Sequence, residues 1–222
     1  MIAPKEIIRT KRRSLALTIN EKGELIVKAP YQISIDKIYS FIKEKEKWIE
    51  KKQKAITSVL DENKEIVSYN SIFLLGNKYK VIEIGGVDIP YLTKEYLAIP
   101  PTNSLKEKME NIREFFFNNT KILLLHRVEK FAKNVGVQPQ IVKIIDSKTK
   151  WGMCDSKKQV YINWKCIMLS PDLIDYIIIH ELCHIKQLNH SKEFWKIVYS
   201  QMNFYKEEVD LLKKSNFLIK LF

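Results

Sequence analysis

Residues 175–191 read Asp175-Tyr-Ile-Ile-Ile-His180-Glu181-Leu-Cys-His184-Ile-Lys-Gln-Leu-Asn189-His190-Ser191 and hold three of the chain's four histidines. On a helix, His180 and His184 project from one face a single turn apart, and Glu181 lies on the flank of that face. Imidazole nitrogens bind Zn²⁺, and a neighbouring carboxylate can take a proton from the attacking water. The pattern therefore predicts a hydrolytic zinc site built on a helix.

The helix that carries this pattern is predicted to be buried. Ser170 and Pro171 are typical of a helix start, with serine as the N-cap and proline at the first helical position. The run Tyr176-Ile-Ile-Ile179 is apolar on every side, as in a helix at the centre of a domain. Burying the two histidines and the glutamate that follow would be costly without partners. A metal ion would satisfy them.

His190 is the predicted third ligand. A catalytic zinc usually takes three protein ligands and keeps one position open for water. His190 lies six residues after His184, so a continuing helix would turn it away from the metal. The chain is therefore expected to leave the helix between residues 186 and 189. Asn189 tolerates the left-handed conformation that such an exit often uses.

Two aromatic residues are expected to support the site from the next helix. Ser191 is a candidate N-cap for a helix that carries Phe194 and Trp195. These rings are expected to pack beneath the site and to hold His190 in place. Together with Asn189, they are the predicted supporting residues of this segment.

Three other residues, His126, Cys183 and Met202, could belong to the metal site, but a structural role is favoured for each. His126 lies on a long helix that is predicted to start at Ser104 and to be stopped after Val135 by Gly136. An exposed structural histidine fits that position better than a fourth ligand. Cys183 is expected to be a small core residue. Met202 is expected to pack in the core rather than to form a methionine floor beneath the metal.

The charge of the chain leaves its partners open. The sequence has 38 Lys and Arg against 26 Asp and Glu, a formal net charge of +12. Such a surplus favours polyanions such as nucleic acid. A lysine-rich composition produces the same surplus without any such partner, so both interpretations stand.

The remaining composition predicts a cytoplasmic protein. Cys154, Cys166 and Cys183 are odd in number and form no CxxC pair, which suits a reducing compartment. No apolar run approaches the roughly 18 residues that would predict a membrane span. The first residues lack a charged segment followed by an apolar core, so no secretory signal is expected.

The fold is predicted to be α+β with two parts. Residues 1–101 form a mainly β module with one long helix, from Ser34 to about Val59. The double proline Pro100-Pro101 marks the boundary, because proline ends regular structure. Residues 102–222 form the second part, which carries the predicted zinc site.

The motif and the sequence around it resemble one family. His180-Glu181-Leu-Cys-His184, followed by Asn189-His190-Ser191-Lys-Glu-Phe194-Trp195, is similar to the YgjP-like metallopeptidase family, which is related to the WLM and SprT-like zinc proteases. Upstream, Lys150-Trp151-Gly152-Met153-Cys154 resembles the Trp-Gly-Ser-Cys element of that family. Met153 stands in the place of the serine. Trp151 is therefore a further candidate supporting residue.

The resemblance implies a fold, a cofactor and roles for particular residues. Residues 102–222 would form a zincin-like metallopeptidase domain with a central His-Glu-x-x-His helix. His180, His184 and His190 would be zinc ligands, and Glu181 would be the catalytic acid and base. The substrate would be a peptide or a protein.

Three functions are compatible with the sequence. The first is a zinc-dependent peptidase in which Glu181 is the general base. The second is a DNA-associated protein or protease whose basic surface binds nucleic acid. The third is a metal-dependent hydrolase of a non-peptide amide, which would use the same chemistry. In any such hydrolase, Tyr199, Tyr205 and Trp151 are candidates to stabilise the oxyanion.

Overall fold

A computed structural model describes residues 2–222 of the chain. The chain divides into two compact units, one up to Lys64 and the other from Glu65 to Phe222. Both units combine helices with small sheets, so the chain is an α+β protein, as predicted.

The first unit consists of one small sheet and two helices. Its elements are β1 (Glu6–Thr10), β2 (Ala16–Ile19), β3 (Leu25–Pro30), α1 (Ile35–Glu44) and α2 (Glu46–Glu62). The strand order is β1-β3-β2, with β1 parallel and β2 antiparallel to the central strand. Apolar side chains of β3, α1 and α2 form the core of this unit: Leu25, Val27, Ala29, Ile38, Ile42 and Ile49.

The long helix expected in this unit is two helices. Ser34 caps α1 as predicted, because its hydroxyl oxygen accepts a hydrogen bond from the Lys37 amide at 3.4 Å. Lys45 then departs from helical geometry, with φ −98° and ψ 10°, and α2 begins at Glu46. The prediction of one helix from Ser34 to about Val59 is therefore wrong. No glycine or proline marks the break in the sequence.

The second unit contains two sheets and five helices. Its first elements are α3 (Lys64–Val67), β4 (Ser71–Leu74), β5 (Asn77–Glu83), β6 (Tyr91–Leu92), β7 (Tyr96–Ile99) and α4 (Leu105–Val135). The later elements are β8 (Ile141–Ile145), β9 (Gly152–Cys154), β10 (Gln159–Asn163), α5 (Pro171–Cys183), α6 (Lys192–Gln201) and α7 (Tyr205–Lys214). Two short 3-10 helices, Trp164–Met168 and Ser215–Lys220, complete the unit.

The two sheets of this unit differ in their strand order and therefore in which strands lie at their edges. The four-stranded sheet has the order β4-β5-β7-β6. In the three-stranded sheet, β10 is central, with β8 parallel on one side and β9 antiparallel on the other. Strand β9 is therefore an edge strand, and it packs against α5.

Helix α4 has the bounds that the sequence predicts. The Ser104 hydroxyl accepts a hydrogen bond from the Glu107 amide at 3.2 Å, and Gly136 ends the helix in the left-handed conformation, with φ +71°. A partly buried ion pair between Arg127 and Asp175 joins α4 to α5. The two helices thus pack against each other at the centre of the unit.

The compact units divide at a different residue from the boundary expected at Pro101. Leu97 and Ile99 of β7 belong to the same buried cluster as Ile112 and Phe116 of α4. The segment from Glu65 to Pro101 therefore shares its core with the helices that follow. A functional division after Pro101 stays a prediction. Among the described helices, none is long and apolar enough to cross a membrane.

The turn at Gly76 should be sensitive to a single methyl group. Gly76 has φ +79°, and a Cβ atom there would lie 3.1 Å from the Cα atom of Ser170, the N-cap of α5. We expect Gly76→Ala to lower the free energy of unfolding through both the left-handed backbone, roughly 1–2 kcal/mol, and overpacking, about 1–3 kcal/mol. Urea unfolding measures the change.

Gly86→Ala is the matched control for this substitution. Gly86 has φ +80°, but among the described residues other than Gly86 and its two chain neighbours, no atom lies within 4 Å of a Cβ built there. It should therefore show the backbone cost alone. Equal losses of stability in the two variants would contradict the close approach of Gly76 to Ser170.

Candidate metal centre

Helix α5 begins and runs as the sequence predicts. The Ser170 hydroxyl accepts a hydrogen bond from the Leu173 amide at 3.4 Å, and Pro171 occupies the first turn. The apolar run from Tyr176 to Ile179 is buried throughout. The polar residues His180 and Glu181 therefore continue from a helix that is fixed on all sides by packing.

The chain leaves α5 earlier than expected. The helix ends at Cys183, and His184 is its C-cap, with φ −64° and ψ −19°. A tight turn follows, in which the amides of Lys186 and Gln187 both donate to the Cys183 carbonyl at 3.0 Å. This turn reverses the chain and brings His190 back towards the helix.

Asn189 shapes the return loop through its side chain. Its Oδ1 atom accepts hydrogen bonds from the Gln187 side chain at 2.8 Å and from the Ser191 amide at 3.2 Å. The expectation of a left-handed backbone at Asn189 is wrong, because the described left-handed residues other than glycine are Tyr69, Leu75 and Lys158. A hydrogen-bonded turn replaces the left-handed exit.

Three imidazole nitrogens converge at the end of α5. The Nε2 atom of His180 lies 3.2 Å from that of His184 and 3.0 Å from that of His190. In the described part of the chain, these histidines form the one group of three or more His, Cys, Asp or Glu side chains that could hold a metal ion. Two nitrogens of a tetrahedral zinc site lie roughly 3.4 Å apart, given Zn–N distances near 2.1 Å. The observed spacing fits such an ion.

The other ring nitrogens of two histidines have partners of their own. His184 Nδ1 lies 3.0 Å from the Gln187 carbonyl oxygen, and His180 Nδ1 lies 3.4 Å from the Tyr176 hydroxyl. A carbonyl oxygen only accepts, so His184 donates from Nδ1 and its Nε2 carries a lone pair. Such outer partners fix the tautomer and orientation of metal-binding imidazoles. Burial, together with the charges of His184 and His190, lowers the pKa of His180 to about 3 and keeps it neutral.

Aromatic rings hold the three imidazoles. Phe194 stacks on His184, with ring centroids 4.5 Å apart, and lies within 5 Å of the His180 and His190 centroids. Trp195 lies 5.7 Å from His190 at a tilt of 32°. The Ser191 hydroxyl caps α6 by accepting a hydrogen bond from the Phe194 amide. The predicted contacts of Phe194 and Trp195 with the site are thus present in the fold.

Glu181 lies beneath strand β9. Its side chain is nearly enclosed, with 8% of the residue exposed. Gly152 lies so close that a Cβ atom there would be 2.6 Å from Glu181 Cγ and 2.8 Å from Oε1. Burial raises the pKa of Glu181 to about 8, and the charge of Lys150 opposes that rise. A cation in the site would oppose it further.

A family model for YgjP-like proteins, described as a metallopeptidase domain, matches residues 13–215. The chain belongs to the YgjP-like metallopeptidase family. The family resemblance read from residues 150–195 is thus confirmed, and the chain is a metallopeptidase, an enzyme that uses a metal ion to hydrolyse peptide bonds.

Two solved structures are similar to part of the chain. They are the metallopeptidase zymogens abylysin of Pyrococcus abyssi and jannalysin of Methanocaldococcus jannaschii. Each is 24% identical to this chain, with a TM-score of 0.37. The match covers 40% of this chain and 90% of abylysin, and 41% of this chain and 95% of jannalysin. The comparison with curated proteins found no match.

The other candidate residues lie where the sequence placed them. His126 is exposed on α4, and Cys183 and Met202 are buried in the core of the unit. The Trp151 indole N–H donates to Asn216 Oδ1 at 3.0 Å. Sequence reasoning missed Tyr176 as a partner of His180, although its position four residues before His180 on one helix face could have indicated it.

The three-histidine cluster predicts how zinc affinity depends on His190. We expect His190→Ala to weaken zinc binding by more than the roughly 10–100-fold typical of losing an outer partner of a ligand. Competition with a chromophoric chelator measures the affinity. His126→Ala is the matched control, because His126 is exposed and lies outside the cluster. An equal affinity in the two variants would contradict the assignment of His190.

Proposed function

We propose that the chain hydrolyses peptide bonds with a Zn²⁺ ion held by His180, His184 and His190, and with Glu181 as general base and acid. The observation that carries this proposal is the convergence of three Nε2 atoms beside a buried carboxylate. Three neutral nitrogen ligands leave one position open, whereas structural zinc sites usually fill all four positions and favour cysteine. The domain proposed for this chemistry is the zincin-like segment of residues 102–222.

We assign the proton transfers of the reaction to Glu181. When bound, Zn²⁺ supplies a Lewis acid that polarises the scissile carbonyl and lowers the pKa of water in the site towards about 7. Glu181 takes the proton of the attacking water and delivers it to the leaving amine. Its enclosure beneath Gly152 keeps competing water from the carboxylate. The Tyr176 hydroxyl orients His180 from the turn before it.

The edge strand β9 supports a peptide as substrate. The Asn163 amide donates to the Trp151 carbonyl at 2.8 Å, and the Asp155 amide donates to the Gln159 carbonyl at 3.1 Å. In an antiparallel pair, alternate residues face the partner strand. The backbones of Gly152 and Cys154 therefore face the free edge, where an extended peptide can add as a further strand.

A peptide bound along this edge would lie beside the catalytic carboxylate. Gly152 is both an edge residue and the residue that contacts Glu181. Backbone pairing would therefore bring a peptide carbonyl to the proposed base. A small non-peptide amide has no repeating backbone with which to use this edge, so the strand favours the peptidase over the third function predicted from the sequence.

Tyr205 is the favoured candidate to stabilise the oxyanion. Its ring stacks on Trp195, with centroids 5.2 Å apart, and Trp195 packs against His190. The N–H group of Trp151 already donates to Asn216, and Tyr199 is 58% exposed. An oxyanion requires a free donor held near the reacting carbonyl. Tyr205 fits that requirement better than the other two predicted candidates.

The role of Glu181 predicts a separation between metal binding and hydrolysis. Glu181→Gln preserves the shape of the side chain but removes the base, so hydrolysis should fall by about 10²–10⁴-fold. Zinc affinity should stay within a few-fold of the parent. Pooled fluorescence-quenched peptides measure hydrolysis, and chelator competition measures zinc.

Two further variants control this experiment. Glu129→Gln alters an exposed carboxylate that pairs with Lys133 on α4 and should leave hydrolysis unchanged. Gly152→Ala retains Glu181 but places a methyl group in its space, so it should reduce hydrolysis while zinc remains bound. Hydrolysis by Glu181→Gln within a few-fold of the parent would disprove the proposed role of the carboxylate.

Nucleic-acid binding is a second candidate function, favoured by one surface. Residues 1–64 carry 15 Lys and Arg against 9 Asp and Glu, a net charge of +6. Lys47, Lys51 and Lys54 are exposed and share one face of α2. In the described part of the chain, none of the three lies within 4.0 Å of a carboxylate oxygen. A row of unpaired lysines on one helix face suits contact with phosphates.

Charge reversal on this face tests the second candidate. Lys47→Glu/Lys51→Glu/Lys54→Glu should weaken the binding of a labelled 20-nucleotide DNA, measured by fluorescence anisotropy at 50 and 200 mM salt. It should also reduce the dependence of binding on salt. The slope of the logarithm of the binding constant against the logarithm of salt concentration should become less steep by about 0.7–0.9 for each lost phosphate contact. Lys94→Glu/Lys121→Glu/Lys206→Glu makes the same change in net charge at other exposed lysines. Equal effects of the two triple variants, or no binding by the parent at 50 mM salt, would contradict a nucleic-acid surface on α2.

A further inference from the structure

A buried amide holds the loop that precedes strand β9. Asn163, at the end of β10, is completely buried. Its Nδ2 atom donates to the Ser147 carbonyl at 2.7 Å and to the Lys150 carbonyl at 2.8 Å. Its Oδ1 atom accepts from the Lys165 amide at 3.2 Å. Both hydrogens of the amide are thus used to fix two points of one loop.

A buried lysine holds the same loop from a second direction. Lys165 is completely buried, and its Nζ atom lies 3.0 Å from Asp146 Oδ1 and 3.3 Å from the Ser147 carbonyl oxygen. The same ammonium group donates to the carbonyls of Ile219 and Phe222, each at 3.1 Å. It therefore ties the loop to the C-terminal segment of the fold.

The C-terminal segment contacts the loop at one further point. The Trp151 indole N–H donates to Asn216 Oδ1 at 3.0 Å. Cys166 also reaches the loop, with its Sγ atom 3.5 Å from the Trp151 carbonyl oxygen. Residues 146–151 are thus fastened along their length, and the next residue is Gly152, the first residue of β9.

Little freedom remains between β9 and the catalytic carboxylate. A single methyl group on Gly152 would lie 2.6 Å from Glu181 Cγ. A shift of the loop towards α5 would therefore press the strand onto Glu181, and a shift away would withdraw the free edge from the base. A displaced edge would also pair less well with an added peptide strand, so it would weaken the binding of substrate.

We propose that Asn163 and Lys165 are positioning residues for hydrolysis, which set the distance between the substrate-binding edge of β9 and Glu181. Their partners are the loop backbone, Asp146 and the C-terminal segment, and they act on the reaction through the strand. The inference rests on the proposed function, because it assigns the purpose of the loop to peptide binding along β9.

An isosteric substitution separates positioning from simple stabilisation. Asn163→Asp keeps the Oδ1 acceptor for the Lys165 amide but loses the two donors to the loop. Asn119→Asp is the matched control, since the Asn119 amide also donates to a backbone carbonyl, that of Phe115 at 2.7 Å, on helix α4. A merely structural role would lower the thermal midpoint without selectively changing β9 or KM.

Two measurements report on the strand and on the substrate. The Met153 amide faces β10, so its hydrogen exchange reports how firmly β9 is held. Asn163→Asp should raise that exchange rate about tenfold. It should also raise the KM for pooled fluorescence-quenched peptides about tenfold. A change of about tenfold is what the loss of one backbone hydrogen bond would cause. The change in kcat should be smaller, because edge contacts form already in the bound substrate. Zinc stoichiometry should be unchanged, and Asn119→Asp should match the parent in Met153 exchange, KM and zinc stoichiometry.

A second variant covers the case in which Asn163→Asp does not fold. Asn216 is exposed, so Asn216→Ala should fold. It removes one anchor of Trp151 and should raise the exchange rate of the Met153 amide and the KM by a few-fold. The inference is overturned if neither variant changes KM in an active enzyme, or if Met153 exchange responds equally in Asn119→Asp. A parent that binds zinc but cleaves no peptide would instead overturn the proposed function, while Met153 exchange would still report on the anchors.

Discussion

The organisation of the second unit depends on placing three imidazole nitrogens close together, with those of His184 and His190 3.2 and 3.0 Å from that of His180. Such an arrangement is unfavourable without a cation, since neutral imidazoles can share at most one hydrogen between each pair of nitrogens. It therefore has to be imposed by the surrounding fold. Helix α5 supplies this constraint, because its apolar residues are buried on every side and leave His180 and His184 no freedom to separate. The turn after Cys183 and the edge-to-face contact of Phe194 with His190 then bring the third ring into place.

Glu181, the proposed catalytic carboxylate, obeys an opposite constraint. A general base must be partly shielded from water and yet remain within reach of the substrate. The residue that covers it must therefore be small. Gly152 meets this need, because any larger residue would occupy the space of the Glu181 side chain. A strand that approaches so closely has to be fixed precisely, and the preceding loop is anchored by Asn163 and Lys165. The strand position and the arrangement of the three histidines are thus maintained by different sets of contacts.

The sequence allowed prediction of those features whose partners are close along the chain. The histidine pair, the capped start of α5 and the bounds of α4 all follow from spacings of a few residues, and the structure contains each of them. The break at Lys45 was missed because no glycine or proline signals it. The anchors were missed for another reason. Asn163 bonds residues 13 and 16 positions away, and Lys165 bonds residues up to 57 positions away, so no local pattern could reveal either network.

The choice of a lysine at position 165 is informative about what the loop requires. A fully buried ammonium group is expensive, and replacing a buried ion pair by apolar side chains is often neutral or stabilising. The three hydrogens of the Lys165 ammonium group, however, are shared among three backbone carbonyls and Asp146, and an apolar residue would leave those carbonyls without this partner. The lysine side chain is flexible and ends in an ammonium group with three hydrogen-bond donors. It can therefore link the loop before β9 to the C-terminal segment, although no strand or helix pairs these two segments. The cost of the buried charge is therefore offset by fixing irregular backbone, and that backbone leads directly to the strand above Glu181.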